Sequence, residues 1–477
     1  MKNLIRHLTI ALTFLIVLSF PVFGQNAANK SVEGNWLSTL EFNGIKLRLV
    51  LRVSKAASGF TAKLDSIDQG ANDLEIDAIS QQDNAVRFDA KKYGMSYEGK
   101  LNEKGDEIVG TFKQGARSQA LTFKRTVAAT KVSRPQDPQK PYPYNEEEVV
   151  YENKKDAIKL AGTLTFPRAP GPHPAVILIT GSGSQDRNET AAGHRPFLVL
   201  ADYLTRRGIA VLRVDDRGIG GSDLGLLTAT SENFAGDVLA GVEYLKTRKE
   251  INPKQIGLVG HSEGGMIAPM VVVRSKDVAF IVSMAGLGQT GEDAIYTQIA
   301  LLQKAGGNAE TIAQGIDMQK SLFAIIKSEP NDKLAEQKIN EMLAKRKSKM
   351  SEQELKAFAP VEANIKAQMP LLLLPWYRYF IGYNPRPTLE KVKIPVLAIN
   401  GENDLQVASK ENLDLIAAAF KTAGNKDYTI KSFPKLNHLF QTSETGSLNE
   451  YDKIEETISP QVLETIADWI LKRTIKK

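Results

Sequence analysis

Residues 260–264 read Gly260-His261-Ser262-Glu263-Gly264, a G-x-S-x-G pentapeptide set where the apolar run Ile256-Gly257-Leu258-Val259 ends and a small-residue stretch over 264–268 begins. That placement predicts a strand, a sharp turn and a helix in immediate succession. A serine at such an elbow is held in a strained backbone conformation, and glycines on either side have no Cβ to clash where strand and helix are pressed together. Hydrolysis through a covalent acyl intermediate is the chemistry this geometry suggests. A Gly-rich turn without chemistry is the plain alternative, because 36 glycines make chance pentapeptides common. The rest of the chain separates the two.

A hydroxyl is a poor nucleophile at neutral pH and needs a general base, which in turn needs an orienting acid. Of the five histidines, His7 lies in a segment expected to be removed, His173 sits between Pro172 and Pro174, and His194 falls in a polar loop. His261 adjoins the serine and is expected to point elsewhere on the turn. His438 remains, in Pro434-Lys435-Leu436-Asn437-His438-Leu439-Phe440 directly after the strand-like stretch 428–433. The acid is expected between serine and histidine in the chain order Ser, Asp/Glu, His. The β-rich run 394–400 opens into Gly401-Glu402-Asn403-Asp404, so Asp404 is the candidate and Glu402 its nearest competitor. Asp414 and Asp427 read as surface charges, and an Asx turn or helix cap is the plain role for Asp404. Two backbone donors complete the set: the amide of Glu263, and one from the Gly181-Ser182-Gly183-Ser184 loop after the apolar run 175–180. Ser182 is the first choice there and Gly183 the alternative. The loop lacks the Lys-Ser/Thr ending of a P-loop.

Two further stretches join these: Thr180-Gly181-Ser182-Gly183-Ser184-Gln185-Asp186-Arg187-Asn188 and Asp215-Asp216-Arg217-Gly218-Ile219-Gly220-Gly221-Ser222. Together the motifs make the chain from about Val149 onward resemble an α/β-hydrolase, and more narrowly the secreted bacterial carboxylesterases grouped with serine aminopeptidase-like hydrolases. The resemblance implies a mostly parallel sheet, a Ser262, Asp404, His438 triad and a small-molecule ester substrate. It also implies that the Asp-x-Arg-Gly loop is a structural turn, which gives Asp215 and Arg217 no catalytic role. Thr180 departs from the pattern, since many relatives carry histidine before the oxyanion glycine.

At 477 residues the chain has room for two or three domains. Lys2, Arg6, the apolar run 8–20 and Val22-Phe23-Gly24 read as a secretory signal over residues 1–24. The run falls short of the ~20 residues of a spanning helix. Export to the periplasm or medium, with no integral membrane association after cleavage, is therefore expected. Without cysteine there is no lipoprotein attachment site, no disulfide and no thiolate zinc site. With no H-E-x-x-H and scattered histidines, no metal or other cofactor is expected. The 61 basic residues less Lys2 and Arg6 leave 59 against 55 acids, a mild excess densest at Lys345-Arg346-Lys347-Ser348-Lys349. That run reads as a solvated helix face, not as a nucleic-acid surface, which would add stacking aromatics.

Residues 31–126 form a different block, where Leu47, Leu49, Leu51 and Val53 alternate with Arg48, Val50, Arg52 and Ser54 at the period of a half-buried strand. Short β-like runs between turn residues predict an antiparallel all-β domain, a small barrel or curved sheet. Gly34-Asn35-Trp36 is similar to the start of lipocalin-like barrels, which leaves a ligand cavity or a packed accessory domain open. Residues 127–148, with Pro135, Pro138, Pro141 and Pro143, read as a Pro-rich linker, and 149–477 as the hydrolase domain. Its β-like runs alternate with helical segments, the signature of a doubly covered parallel sheet.

The insertion 289–388 looks helical and is placed as a lid, being far longer than an ordinary connection. Near its end Trp376, Tyr377, Tyr379 and Phe380 are candidate walls of an acyl pocket, with lid core as the alternative. Three functions stay open: an esterase for short or medium acyl chains, a peptidase whose amine anchor would be Glu263 or Asp186, and a non-catalytic binding protein.

Overall fold

The computed structural model describes residues 31–474 apart from 43–44, 57–58, 67–70, 115–116, 127–133 and 305–308. The signal read at 1–24 lies outside the described residues. The chain falls into two compact units, one holding the described residues of 31–126 with Thr190–His194, the other those of Arg134–Glu189 and Arg195 onward.

In the first unit, period-2 patterning yields nine antiparallel strands: β1 (Gly34–Phe42), β2 (Ile45–Ala56), β3 (Gly59–Ser66), β4 (Ala71–Glu75), β5 (Ala78–Gln82), β6 (Ala85–Ala90), β7 (Met95–Leu101), β8 (Glu107–Gln114) and β9 (Arg117–Thr126). Their order is β4-β3-β2-β1-β9-β8-β7-β6-β5, so β1 pairs with β9 and the sheet keeps two edges. Along β6 the residues alternate strictly between exposed and buried. The inner face is filled by Trp36, Leu51, Leu64, Phe88, Tyr97, Ile108 and Phe123. Tyr97 stacks on Phe88 at 5.3 Å and meets Phe123 edge-on at 5.2 Å, and its hydroxyl lies 2.9 Å from the Ile108 carbonyl oxygen. These buried side chains form the hydrophobic core of the unit.

The second unit is a three-layer α/β/α sandwich. Its strands are β10 (Asn145–Asn153), β11 (Ile158–Phe166), β12 (His173–Ile179), β13 (Ala210–Val214), β14 (Ile251–His261), β15 (Phe280–Met284), β16 (Val396–Gly401) and β17 (Tyr428–Phe433). Sheet order is β10-β11-β13-β12-β14-β15-β16-β17. β10 and β11 are antiparallel, and every pair from β13 to β17 is parallel. Continuous apolar runs are what a sheet buried on both faces demands. On β12, Ala175, Ile177 and Ile179 face one layer, with helices α2 (Ser231–Lys246), α3 (Glu263–Val272) and α10 (Ser409–Thr422). Val176 and Leu178 face the other, with α1 (Pro196–Arg206) and α12 (Pro460–Thr474).

Between β15 and β16 run α4 (Gly291–Lys304), α5 (Ala309–Ser328), α6 (Asp332–Lys347), α7 (Glu352–Leu372), α8 (Pro375–Gly382) and the short α9 (Arg386–Leu389). The basic run at 345–349 ends α6, where cations suit the helix dipole. There Arg346 pairs with Asp317 and Lys347 with Glu362.

The Pro-rich segment is not a free spacer over its described part. Arg134 donates to the carbonyls of Ile454 and Asp452, and Gln136 bonds to Thr457 and Ile458. These are main-chain partners distant in sequence, which proline content cannot reveal. The boundary drawn at 149 also cuts into β10, which begins at Asn145.

Candidate active site

Chain order places a topological switch between β12 and β14: from β12 the chain moves to β13 on one side, then returns to β14 on the other. Loops leaving adjacent strands in opposite directions open a crevice at their carboxyl ends. Here the loop after β12 carries Gly181 and Ser182, and the turn after β14 carries Ser262.

Ser262 has φ 53° and ψ −116°, a strained conformation for a non-glycine residue. From Ile256 to Val271 it alone is not buried. A Cβ on Gly260 would strike the Gly264 carbonyl, and one on Gly264 the Ile179 carbonyl. A Cβ on Gly181 would sit 3.2 Å from that of Ser262. These close approaches fix the elbow. Among the described residues neither the Ser182 amide nor the Glu263 amide, the first of α3, has an acceptor. Gly183 has φ +95°.

Asp404 follows β16 and His438 follows β17. His438 Nδ1 lies 2.7 Å from Asp404 Oδ2, and both groups are buried. The other carboxylate oxygen, Oδ1, accepts from the amides of Gln406 and Val407 at 2.7 and 2.8 Å. The Asx turn and the histidine contact are thus two sides of one carboxylate. Glu402 turns away to Ser432, Asp414 pairs with Lys410 and Asp427 with Arg473 on the surface. Neither Ser262 Oγ nor His438 Nε2 has a hydrogen-bond partner among the described residues. Catalytic hydrogen bonds are often long before substrate binds.

Three further carboxylates lie near this group, Glu263 and Glu189 buried and Asp216 half-buried. Glu263 accepts from Ser231 Oγ at 2.6 Å and from Trp376 Nε1 at 2.9 Å. Burial holds its carboxyl above the ordinary range, against the pull of hydrogen bonds from Ser231, Trp376 and Ser182. Asp216 accepts from Thr180 Oγ1 and the Gln185 amide, and burial raises it well above normal. Thr180 therefore braces the loop in which a histidine was the family expectation. Glu189 accepts from the Gly181 amide at 2.7 Å and from His261 Nδ1 at 2.9 Å.

Both nitrogens of His261 are turned to groups other than Ser262, with Nδ1 on Glu189. Its Nε2 reaches the His438 carbonyl at 2.9 Å, and the two rings lie 4.7 Å apart. Glu189 and Asp216 escaped the sequence reading because nothing local marks them. Asp215 binds Arg187, and Arg217 is buried between Asp156 and Asp237.

The aromatic segment separates by helical phase. Tyr377 is buried against Phe323 at 6.1 Å, so it is core of the helical insertion and not a pocket wall. Trp376 and Phe380, four residues apart, stack at 5.9 Å. Phe380 packs on Met266, Leu287 and Val407. Tyr379 donates to Glu232 at 2.7 Å. Among the described residues, no group of three or more His, Cys, Asp or Glu is placed to hold a metal ion, and no helix is long and apolar enough to cross a membrane.

Residues 156–426 match the model of the X-Pro dipeptidyl-peptidase (S15) family. The chain belongs to that family. The match takes in Ser262 and Asp404 and ends before His438. The esterase EstD of Thermotoga maritima is 27% identical over 318 residues, covering 66% of this chain and 66% of that protein's length. Solved structures of lower likeness include the α/β hydrolase GrgF from a Penicillium species, with a TM-score of 0.42 and 15% identity over 69% of this chain and 99% of that one. The Pyrococcus furiosus esterase Pf2001 has a TM-score of 0.41 and 17% identity over 73% and 100%. The family and the switch-point sheet make this an α/β hydrolase.

Proposed function

We propose that this chain is an exported serine hydrolase of carboxylic esters with short or medium acyl chains. The observation that carries the reading is the His438–Asp404 contact of 2.7 Å beside a serine on a strained, accessible elbow. Ser262 Oγ attacks the ester carbonyl while its proton passes to His438 Nε2. The amides of Glu263 and Ser182 hold the oxyanion. Collapse expels the alcohol, protonated by His438, and leaves Ser262 acylated. Water, deprotonated by His438, then releases the acid. Asp404 stabilises the imidazolium throughout.

The named esterase relative supports ester chemistry, and the family's name favours an Xaa-Pro peptidase as the second reading. A dipeptidyl-peptidase needs an anion for the substrate's ammonium group. Glu263, the nearest carboxylate in sequence, is already taken up by Ser231, Trp376 and Ser182, which favours uncharged esters. Assay of the purified protein on p-nitrophenyl esters of graded acyl length, aminoacyl nitroanilides and Xaa-Pro nitroanilides separates the two. Turnover confined to the nitroanilides would overturn the ester reading. The export part rests on residues 1–24 alone, and N-terminal sequencing of the periplasmic or medium fraction checks it.

The helical insertion is read as a lid, with Trp376 and Phe380 lining the acyl site. Trp376→Ala and Phe380→Ala should alter the ratio of kcat/KM between acetate and octanoate esters by about tenfold, the worth of a single methylene contact. Tyr377→Ala should instead lower stability by about 3–5 kcal/mol with that ratio unchanged. Denaturant titration and an acyl series measured on all three variants check this division.

A further inference from the structure

Glu189 and His261 are 4% and 6% exposed, and the chemistry proposed above uses neither. Their hydrogen bonds, however, account for every polar atom of the His261 ring. Nδ1 faces a carboxylate oxygen of Glu189 and Nε2 faces the carbonyl oxygen of His438. A carbonyl can only accept, and so can an ionised carboxylate. Glu189 Oε1 is also the acceptor of the Gly181 amide, so this oxygen faces two donors. Both ring nitrogens must then carry protons. We propose that Glu189 and His261 form a buried carboxylate–imidazolium pair that positions the main chain of His438 and the Gly181 loop against Ser262. The proposal rests on the triad reading.

The backbone supports it independently. Glu189 sits at φ 52°, a conformation that non-glycine residues hold only where surrounding contacts enforce it. Gly181 leaves no room beside the pair, since a Cβ there would lie 3.3 Å from Glu189 Oε1. The charged or titratable groups facing His261 are Glu189 from the loop after β12, and His438 and Asp404 from the loops after β17 and β16. Asp216 in turn faces Glu189. Burial disfavours a charged His261 ring, but Glu189 and Asp404 outweigh it and hold the ring above its ordinary range. The His261 ring also lies 4.7 Å from that of His438, so the pair braces the base at its side chain as well as at its carbonyl.

The test uses the full-length enzyme and its His261→Ala, His261→Gln and Glu189→Gln variants. Readouts are kcat and KM on p-nitrophenyl butyrate and fluorophosphonate titration of Ser262 to count intact sites. His261→Ala should lower kcat per labelled site by about 10- to 100-fold with KM changed less than about twofold, the mark of lost transition-state positioning. Glutamine at 261 can still donate to the His438 carbonyl but carries no charge. It should recover part of kcat. Glu189→Gln should also lower kcat with KM changed little, since the His261 ring loses its carboxylate partner. The proposal fails if both His261 variants keep wild-type kcat per labelled site, if the loss lies wholly in KM, or if His261→Gln recovers nothing over His261→Ala. A wild-type enzyme that is not labelled at Ser262 overturns the triad reading together with this one.

Discussion

Ser262→Ala should lower kcat on p-nitrophenyl esters by about five to six orders of magnitude, leaving only what oriented binding and the oxyanion amides supply. The fold should not notice. Ser262 Oγ has no hydrogen-bond partner among the described residues, so its removal strands no buried polar group, and the change in stability should stay within about 0.5 kcal/mol. Alanine is also tolerated at positive φ in this structure, as Ala285 at φ 51° shows. A fluorophosphonate probe should label the wild type once and this variant not at all. Labelling at a different serine, or undiminished turnover, would remove the elbow from the mechanism.

His438→Ala should cost about as much as Ser262→Ala, and the double variant little more, because nucleophile and base act as one unit. Asp404→Asn should lower kcat by about 10⁴-fold. The reason lies in the two oxygens of Asp404. One must still accept from the amides of Gln406 and Val407, which turns the asparagine NH₂ toward His438 Nδ1. Nδ1 then accepts, Nε2 carries the proton, and the base can no longer take one from Ser262. Glu402→Gln should stay near wild type, since that carboxylate faces Ser432. Steady-state kinetics on the four variants check the set, and a Glu402 effect exceeding that of Asp404 would reassign the acid.

Much of this arrangement was legible in the chain because its signals are local. Val176–Ile179 and Leu258–Val259 are apolar without alternation, as strands covered on both faces must be. Gly260 and Gly264 bracket the serine because main chains touch there. Asp404 and His438 each follow a late strand closely enough to be picked by position. What the sequence hid depends on partners remote along the chain. His261 looked idle until Glu189 and the His438 carbonyl took up its two nitrogens. Glu263 could be imagined as an amine anchor until Ser231 and Trp376 filled it. Trp376, Tyr377, Tyr379 and Phe380 formed one group in sequence, and only the start of α8 at Pro375 gives the phase that buries Tyr377 and turns Trp376 toward Glu263. The prolines after 134 suggested a spacer, while Gln136 is bound to a main chain near the C-terminus.

The switch-point topology has a consequence for how this protein acquires activity during refolding. Ser262, Asp404 and His438 leave three different strands, and the Asp404–His438 contact needs β17 seated on β16, so no sheet that lacks β17 can contain it. An active-site probe added at intervals during refolding therefore counts molecules in which β14 to β17 are in place. Tryptophan emission divides the same process differently: Trp36 reports on the N-terminal sheet, Trp376 on the helical insertion and Trp469 on the α/β sandwich. A delay between the recovery of fluorescence and the recovery of labelling measures how long the last strands take to find their places.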